Sequence, residues 1–171
     1  ATYPVLIEER SVAQDSMGFG QWNGAPAVKG SYRSLTGDMT VYFFGDGGTF
    51  APKGVLGGLP GSGCGTWKRH RNGGLERQPD FDHCTAGEKE AVHYRSCAGG
   101  GYGDPHDREP ARVLDDINRG WLSTEKARAV FGVAVKRGTN GVDHVLDDAA
   151  TAKLRAKTKA KAKAKKSRRR K

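Results

Sequence analysis

A chain of 171 residues suits one folded domain with or without a tail, and a core of that size holds without covalent staples. Its formal charge of +10 would point to nucleic acid or an anionic membrane, but twelve Lys or Arg and no Asp or Glu lie between Lys153 and Lys171, which leaves 17 basic against 19 acidic residues elsewhere. The body is therefore slightly acidic, which argues against a nucleic-acid-binding domain.

In chain order, the N-terminus Ala1-Thr2-Tyr3-Pro4 lacks the basic and apolar regions of a secretory signal, and no apolar run reaches the roughly eighteen residues of a membrane span. A cytoplasmic location with no membrane partner is the expectation. Short segments of strand character follow at residues 5–9, 27–33, 39–44 and 91–95, rich in Val, Ile, Tyr and Phe. Between them glycine clusters at residues 45–48, 54–65 and 99–103, where backbone must take unusual angles or approach other backbone closely.

The pattern changes after Asp104. Pro110 opens a helix with Val113, Leu114 and Ile117 on one face, closed by Gly120. Ser123 caps a second, short helix that turns Ala127, Val130 and Phe131 inward and stops at Gly132. Thr139-Asn140-Gly141 between Val133-Ala134-Val135 and Val142 predicts a hairpin. The fold class is α+β: a β-rich body with Gly-rich loops, two short C-terminal helices, a hairpin, and then a basic tail. The domain is expected over residues 1–152 and a disordered or extended Lys/Ala/Arg-rich tail over 153–171, because alternating Lys-Ala offers no apolar face. The twelve cations make a basic-tailed nucleic-acid-binding protein the rival reading, disfavoured because the tail has no aromatic residue to stack on bases.

Two readings compete for the run Gly99-Gly100-Gly101-Tyr102-Gly103: an anion-binding nest of amides, or a tight backbone crossing. The crossing is favoured, since no helix begins directly after it, and the same holds for Gly57 to Gly65. Three cysteines, an odd number without an export signal, argue against a disulfide framework. Cys64, Cys84, Cys97 and His93 form a candidate structural zinc set, with free half-buried thiols as the ordinary alternative. The set lacks a C-x-x-C knuckle, and on a straight strand His93 and Cys97 would stand about 13 Å apart. Cys84 beside His83 is a poor nucleophile–base pair because adjacent strand residues face opposite ways. The acidic pairs Asp115-Asp116 and Asp147-Asp148 read as solvated helix and turn faces, leaving no candidate catalytic residue. Trp22, Trp67 and Trp121 are candidates for subunit contacts.

One ordered set of motifs resembles a known family. Gly99 to Pro105, Arg108-Glu109-Pro110, Val113 to Ile117, Gly120, Ser123, Glu125, Ala127 and Phe131-Gly132-Val133 are similar to the end of the hydantoinase B family, found also in 5-oxoprolinases and in acetone and acetophenone carboxylases. Upstream, Tyr3 to Glu9, Asp15 to Gly20, Trp22-Asn23-Gly24 and Gly57 to Gly61 resemble segments of the same large subunit. The resemblance implies that this chain is a small subunit completing a hydantoinase B-like large subunit, with a hydantoinase A-like subunit for ATP. ATP, Mg or Mn and bicarbonate would then bind at those partners. It implies ketone carboxylation of the acetophenone carboxylase kind ahead of cyclic amide hydrolysis. No G-x-x-x-x-G-K-[ST] loop stands in this sequence, so phosphoryl transfer is not expected of it.

Overall fold

The computed structural model describes residues 4–168, so Tyr3 of the family-like segment and residues 169–171 of the tail lie outside the described residues. In chain order come β1 (Val5–Val12), β2 (Val28–Ser34), β3 (Met39–Phe44), β4 (Gly65–Arg69), β5 (Leu75–Arg77), β6 (Phe81–Ala86), β7 (Ala91–Arg95), α1 (Pro110–Asn118), α2 (Thr124–Lys126), β8 (Val135–Arg137), β9 (His144–Leu146) and α3 (Asp148–Arg168). The α+β class and the β-rich body follow the sequence reading.

Five strands make one antiparallel sheet in the order β1-β2-β7-β4-β5, while β3 and β6 pair separately. The two-stranded layer lies on one face of the larger sheet. Alternation in β3 and β6 sends Met39, Val41, Phe43, Cys84 and Ala86 inward against Tyr32 and Val92. A second core lies at the helical end, where Met17 and Phe19 meet Val113, Ile117, Leu122, Phe131 and Val133. The Phe19 and Phe131 rings pack edge to face at 5.5 Å.

The helix boundaries are local in origin. Pro110 occupies the first turn of α1, and Gly120 beyond its end takes φ +73°. The Ser123 hydroxyl accepts the Lys126 N–H at 3.2 Å to start α2, which runs into a wide π-type turn, Ala127–Phe131, before Gly132 ends it at φ +62°. The expected hairpin forms between β8 and β9, with Val135 opposite Leu146.

Between the two cores, residues 18–24, 54–61 and 99–103 run side by side at backbone contact. Gly18 N–H donates to Gly99 O at 2.8 Å, Trp22 and Tyr102 exchange bonds at 3.0 and 2.9 Å, Val55 N–H donates to Gly101 O at 2.9 Å, and Leu59 N–H reaches Phe19 O at 2.7 Å. A β-carbon at Gly24 would overlap Gly99, and one at Gly58 would overlap Gly101. This is the predicted crossing. The amides of Gly99, Gly101, Tyr102 and Gly103 all donate to backbone carbonyls, so they are not free to hold an anion.

The tail departs from expectation. Residues 153–168 are not extended but continue α3, and the boundary placed at 152/153 falls inside that helix. Asp147 explains its start, because its carboxylate accepts the Ala150 N–H at 2.9 Å. The run of Ala, Lys and Arg that follows is made of strong helix formers. Thr151 is buried and bonds Ala134, and the Arg155 guanidinium donates to Phe131 O at 3.3 Å and Arg108 O at 2.6 Å.

Candidate functional site

The four candidate zinc ligands do not converge. Cys84 lies in β6 opposite Val41, buried with Ala86 and Val92 under the β3–β6 layer. His93 follows Val92 in β7 and so projects from the opposite face of the five-stranded sheet, in the row between Ser31 and Trp67. Alternation along one strand thus separates Cys84 from His93. Cys64 and Cys97 flank the sheet at the ends of β4 and β7. Among the described residues no group of three or more His, Cys, Asp or Glu is placed to hold a metal, and the structural zinc expected of the set is not supported.

The environments of these groups differ. Burial pushes the Cys84 thiol up, and burial followed by the Cys97 sulfur does the same to Cys64, whose Sγ lies 3.5 Å from Gly45 O. Burial and then the charge on Arg69 pull the His93 imidazole down, and its Nε2 is buried without a hydrogen-bond partner among the described residues. His83 stacks on Tyr42 at 5.4 Å on the outer side of the β3–β6 layer, away from Cys84, as strand alternation requires.

One acidic residue read as solvated is not. Asp116 is buried, with Oδ2 accepting from the Arg108 guanidinium at 2.8 Å and from Asn23 Nδ2 at 3.0 Å. Burial pushes its carboxyl up, and Arg108 opposes that. Asp115 does face solvent, paired with Arg119 one turn on. Arg108 also donates to Gln21 O at 3.2 Å, so this cluster ties α1 to the glycine crossing. Its signal in the sequence was faint: three polar residues spread over 93 positions.

The broadest features are exposed apolar surfaces. The outer face of β3–β6 sets Phe44 opposite Phe81 and Tyr42 opposite His83, with Phe44 77%, Tyr42 68% and Phe81 62% exposed. Above the crossing, Trp22, Val55, Leu56 and Tyr102 form a second exposed group, with Arg112 4.6 Å from the Trp22 ring. Of the three tryptophans, Trp22 suits a subunit contact. Trp67 lies between the guanidiniums of Arg77 and Arg95, at 5.1 and 5.8 Å, and Trp121 packs on the helical core. Large exposed apolar patches mark surfaces that are covered in an assembly.

The family model described as Hydantoinase B/oxoprolinase matches residues 1–105. The chain belongs to this family. It is 35% identical over 160 residues to caprolactamase subunit beta of Pseudomonas jessenii, covering 91% of this chain and 26% of that protein. It is 28% identical over 188 residues to the acetone carboxylase alpha subunit of Xanthobacter autotrophicus, covering 90% and 24%. Among solved structures, nucleotide-free acetone carboxylase superposes with a TM-score of 0.77 at 26% identity, covering 95% of this chain and 26% of that one. The ATP-dependent caprolactamase of P. jessenii gives 0.68 at 30% identity, covering 90% and 26%. The chain spans about a quarter of the length of these relatives. No helix among the described residues is long and apolar enough to cross a membrane.

Proposed function

We propose that this chain contributes the C-terminal portion of a hydantoinase B-type subunit to an ATP-dependent complex of the carboxylase and amidohydrolase kind. The observation that carries the reading is a likeness to relatives that spans nearly the whole chain but only a quarter of each of them, on a body that leaves aromatic faces uncovered. The remaining hydantoinase B-like portion and a hydantoinase A-like subunit are its partners. ATP, its divalent metal and bicarbonate bind there, since this chain supplies no phosphate-binding loop.

The reaction we favour is ketone carboxylation, in which ATP activates ketone and bicarbonate and a carbon–carbon bond forms. Support comes from the higher TM-score and coverage against acetone carboxylase. An acetophenone-type ketone is the finer reading. Cyclic amide hydrolysis is the second, favoured by the higher identity to a caprolactamase subunit. In either reaction this chain supports the fold of the catalytic subunit.

Isolation of the native complex, with its chains identified by mass, tests the assignment, and a hydantoinase A-like companion is expected. ATP hydrolysis by that complex should then depend on acetone or acetophenone with bicarbonate. Dependence on caprolactam, hydantoin or 5-oxoproline instead selects the amidohydrolase reading. Purification as a stable monomer without large companions overturns both.

A further inference from the structure

Cys64 and Cys97 are 33 positions apart in the chain and share one small space. Gly65 of β4 pairs with Arg95 of β7, so the residues just beyond that pair leave the sheet together at the same edge. The tight turn Asp46–Gly48 lies against both sulfurs. A β-carbon on Gly47 would overlap Cys97 Sγ and come within 3.6 Å of Cys64 Sγ, so the absence of a side chain there is what lets the two sulfurs crowd one point. Both thiols are half-buried, and a cleft lined by Gly45, Cys64, Arg77, Asp80 and Ser96 opens beside Cys64. With no metal-binding group formed among the described residues, the pair stands as two adjacent thiols with a route to solvent.

We propose that Cys64 and Cys97 are a redox-active pair that closes to a reversible intrachain disulfide when the protein meets a peroxide or a small-molecule disulfide. With hydrogen peroxide, one sulfur attacks a peroxide oxygen, becoming a sulfenic acid as one water leaves. The second sulfur then displaces the sulfenic hydroxyl as another water, and the S–S bond forms. Two thiol hydrogens are lost and the peroxide is reduced to two waters. With a small disulfide, two successive exchanges give the same bond and release two thiols. Burial and the neighbouring sulfur keep the Cys64 proton on, so closure accelerates as pH rises. Cys84 takes no part, because it is buried beneath the β3–β6 layer. The inference concerns this chain's own thiols and stands apart from the reaction proposed above.

The full chain, reduced in its native assembly and freed of reductant, is exposed to hydrogen peroxide or oxidised glutathione at a dose that consumes the thiols of a denatured control. It is then alkylated under denaturing conditions, digested and mapped by mass. The expected product is a Cys64–Cys97 linked peptide pair, lighter by two hydrogens and restored by dithiothreitol, with Cys84 alkylated. Cys84→Ser should leave the link unchanged, and Cys97→Ser should leave Cys64 as a sulfenic acid or mixed disulfide. Full alkylation of Cys64 and Cys97 after oxidation overturns the proposal. So does separate oxidation to sulfinic acids, or a link from either residue to Cys84 or to another chain.

Discussion

Arg108 and Asp116 hold each other at 2.8 Å with less than a tenth of either side chain exposed, and such a pair is costly to break from one side. Asp116→Ala should lower stability by about 3–5 kcal/mol, read as a fall in the denaturation midpoint, because it leaves a buried guanidinium without its counter-charge. Glu90 behaves differently. The Gly87 N–H and then the Lys68 ammonium, each at 2.9 Å, hold its carboxyl down at about 2. The folded value lies below the unfolded one, so its stabilising effect is complete above pH 4.5 and disappears as pH falls through about 2. Glu90→Gln should therefore differ from the parent in midpoint at neutral pH, with the gap closing on acid titration across that window. Neither environment was legible from the sequence. Asp116 looks like its solvated neighbour Asp115 until Asn23, 93 positions away, arrives beside it. The same non-locality divided the candidate zinc set: alternation sets Val92 and His93 on opposite faces of β7, but nothing local says that Cys84 packs on the Val92 side.

At the scale of elements, legibility followed locality. Strands β1 and β3 carry runs of apolar, β-branched and aromatic residues, β2 and β7 each hold a Val and a Tyr, and the caps of α1 and α2 are written in Pro110, Ser123 and two left-handed glycines. Strands β4, β5 and β6 did not stand out. Lys68, Arg69, Glu76, Arg77, Asp82 and His83 interrupt them, and pairing with distant strands holds them extended. The crossing was foreseen from composition alone, though which glycine meets which was not. Gly101→Ala should cost about 3 kcal/mol or more, because the new carbon collides with the Phe19 backbone. Gly37→Ala, with open space but φ +65°, should cost only about 1 kcal/mol, and comparing their thermal midpoints separates collision from backbone strain. The helical reading of the tail makes a further prediction. Deletion from 153 removes the two bonds of Arg155 and should lower stability by roughly 2 kcal/mol, read as a fall in the thermal midpoint.

For the whole molecule, a quarter-length match and uncovered aromatic faces belong to one account. Antiparallel pairing of β3 with β6 buries one face of that layer on the larger sheet and leaves Tyr42, Phe44 and Phe81 outside. Replacing all three with Ser removes the Phe44–Phe81 and Tyr42–His83 cross-strand pairs but no core residue, and should lower the thermal midpoint by only about a few degrees. It should weaken co-elution with the proposed hydantoinase B-like partner by about tenfold or more, as loss of aromatic anchors does at an interface. Weakened folding together with retained co-elution would place the contact elsewhere.

The meeting of three glycine-rich segments also has a kinetic meaning. Those segments begin roughly 40 residues apart from one another, so one large loop must close before any of their mutual bonds form, and a second before all of them do. Helices and hairpins nucleate within microseconds, but this junction waits on diffusion of distant stretches of chain. It is therefore expected to form late, and destabilising substitutions such as Gly101→Ala should speed unfolding more than they slow folding. Until it closes, the newly made polypeptide carries its strands without the clasp that joins sheet to helices, and that interval is when it is most open to aggregation or to capture by another chain.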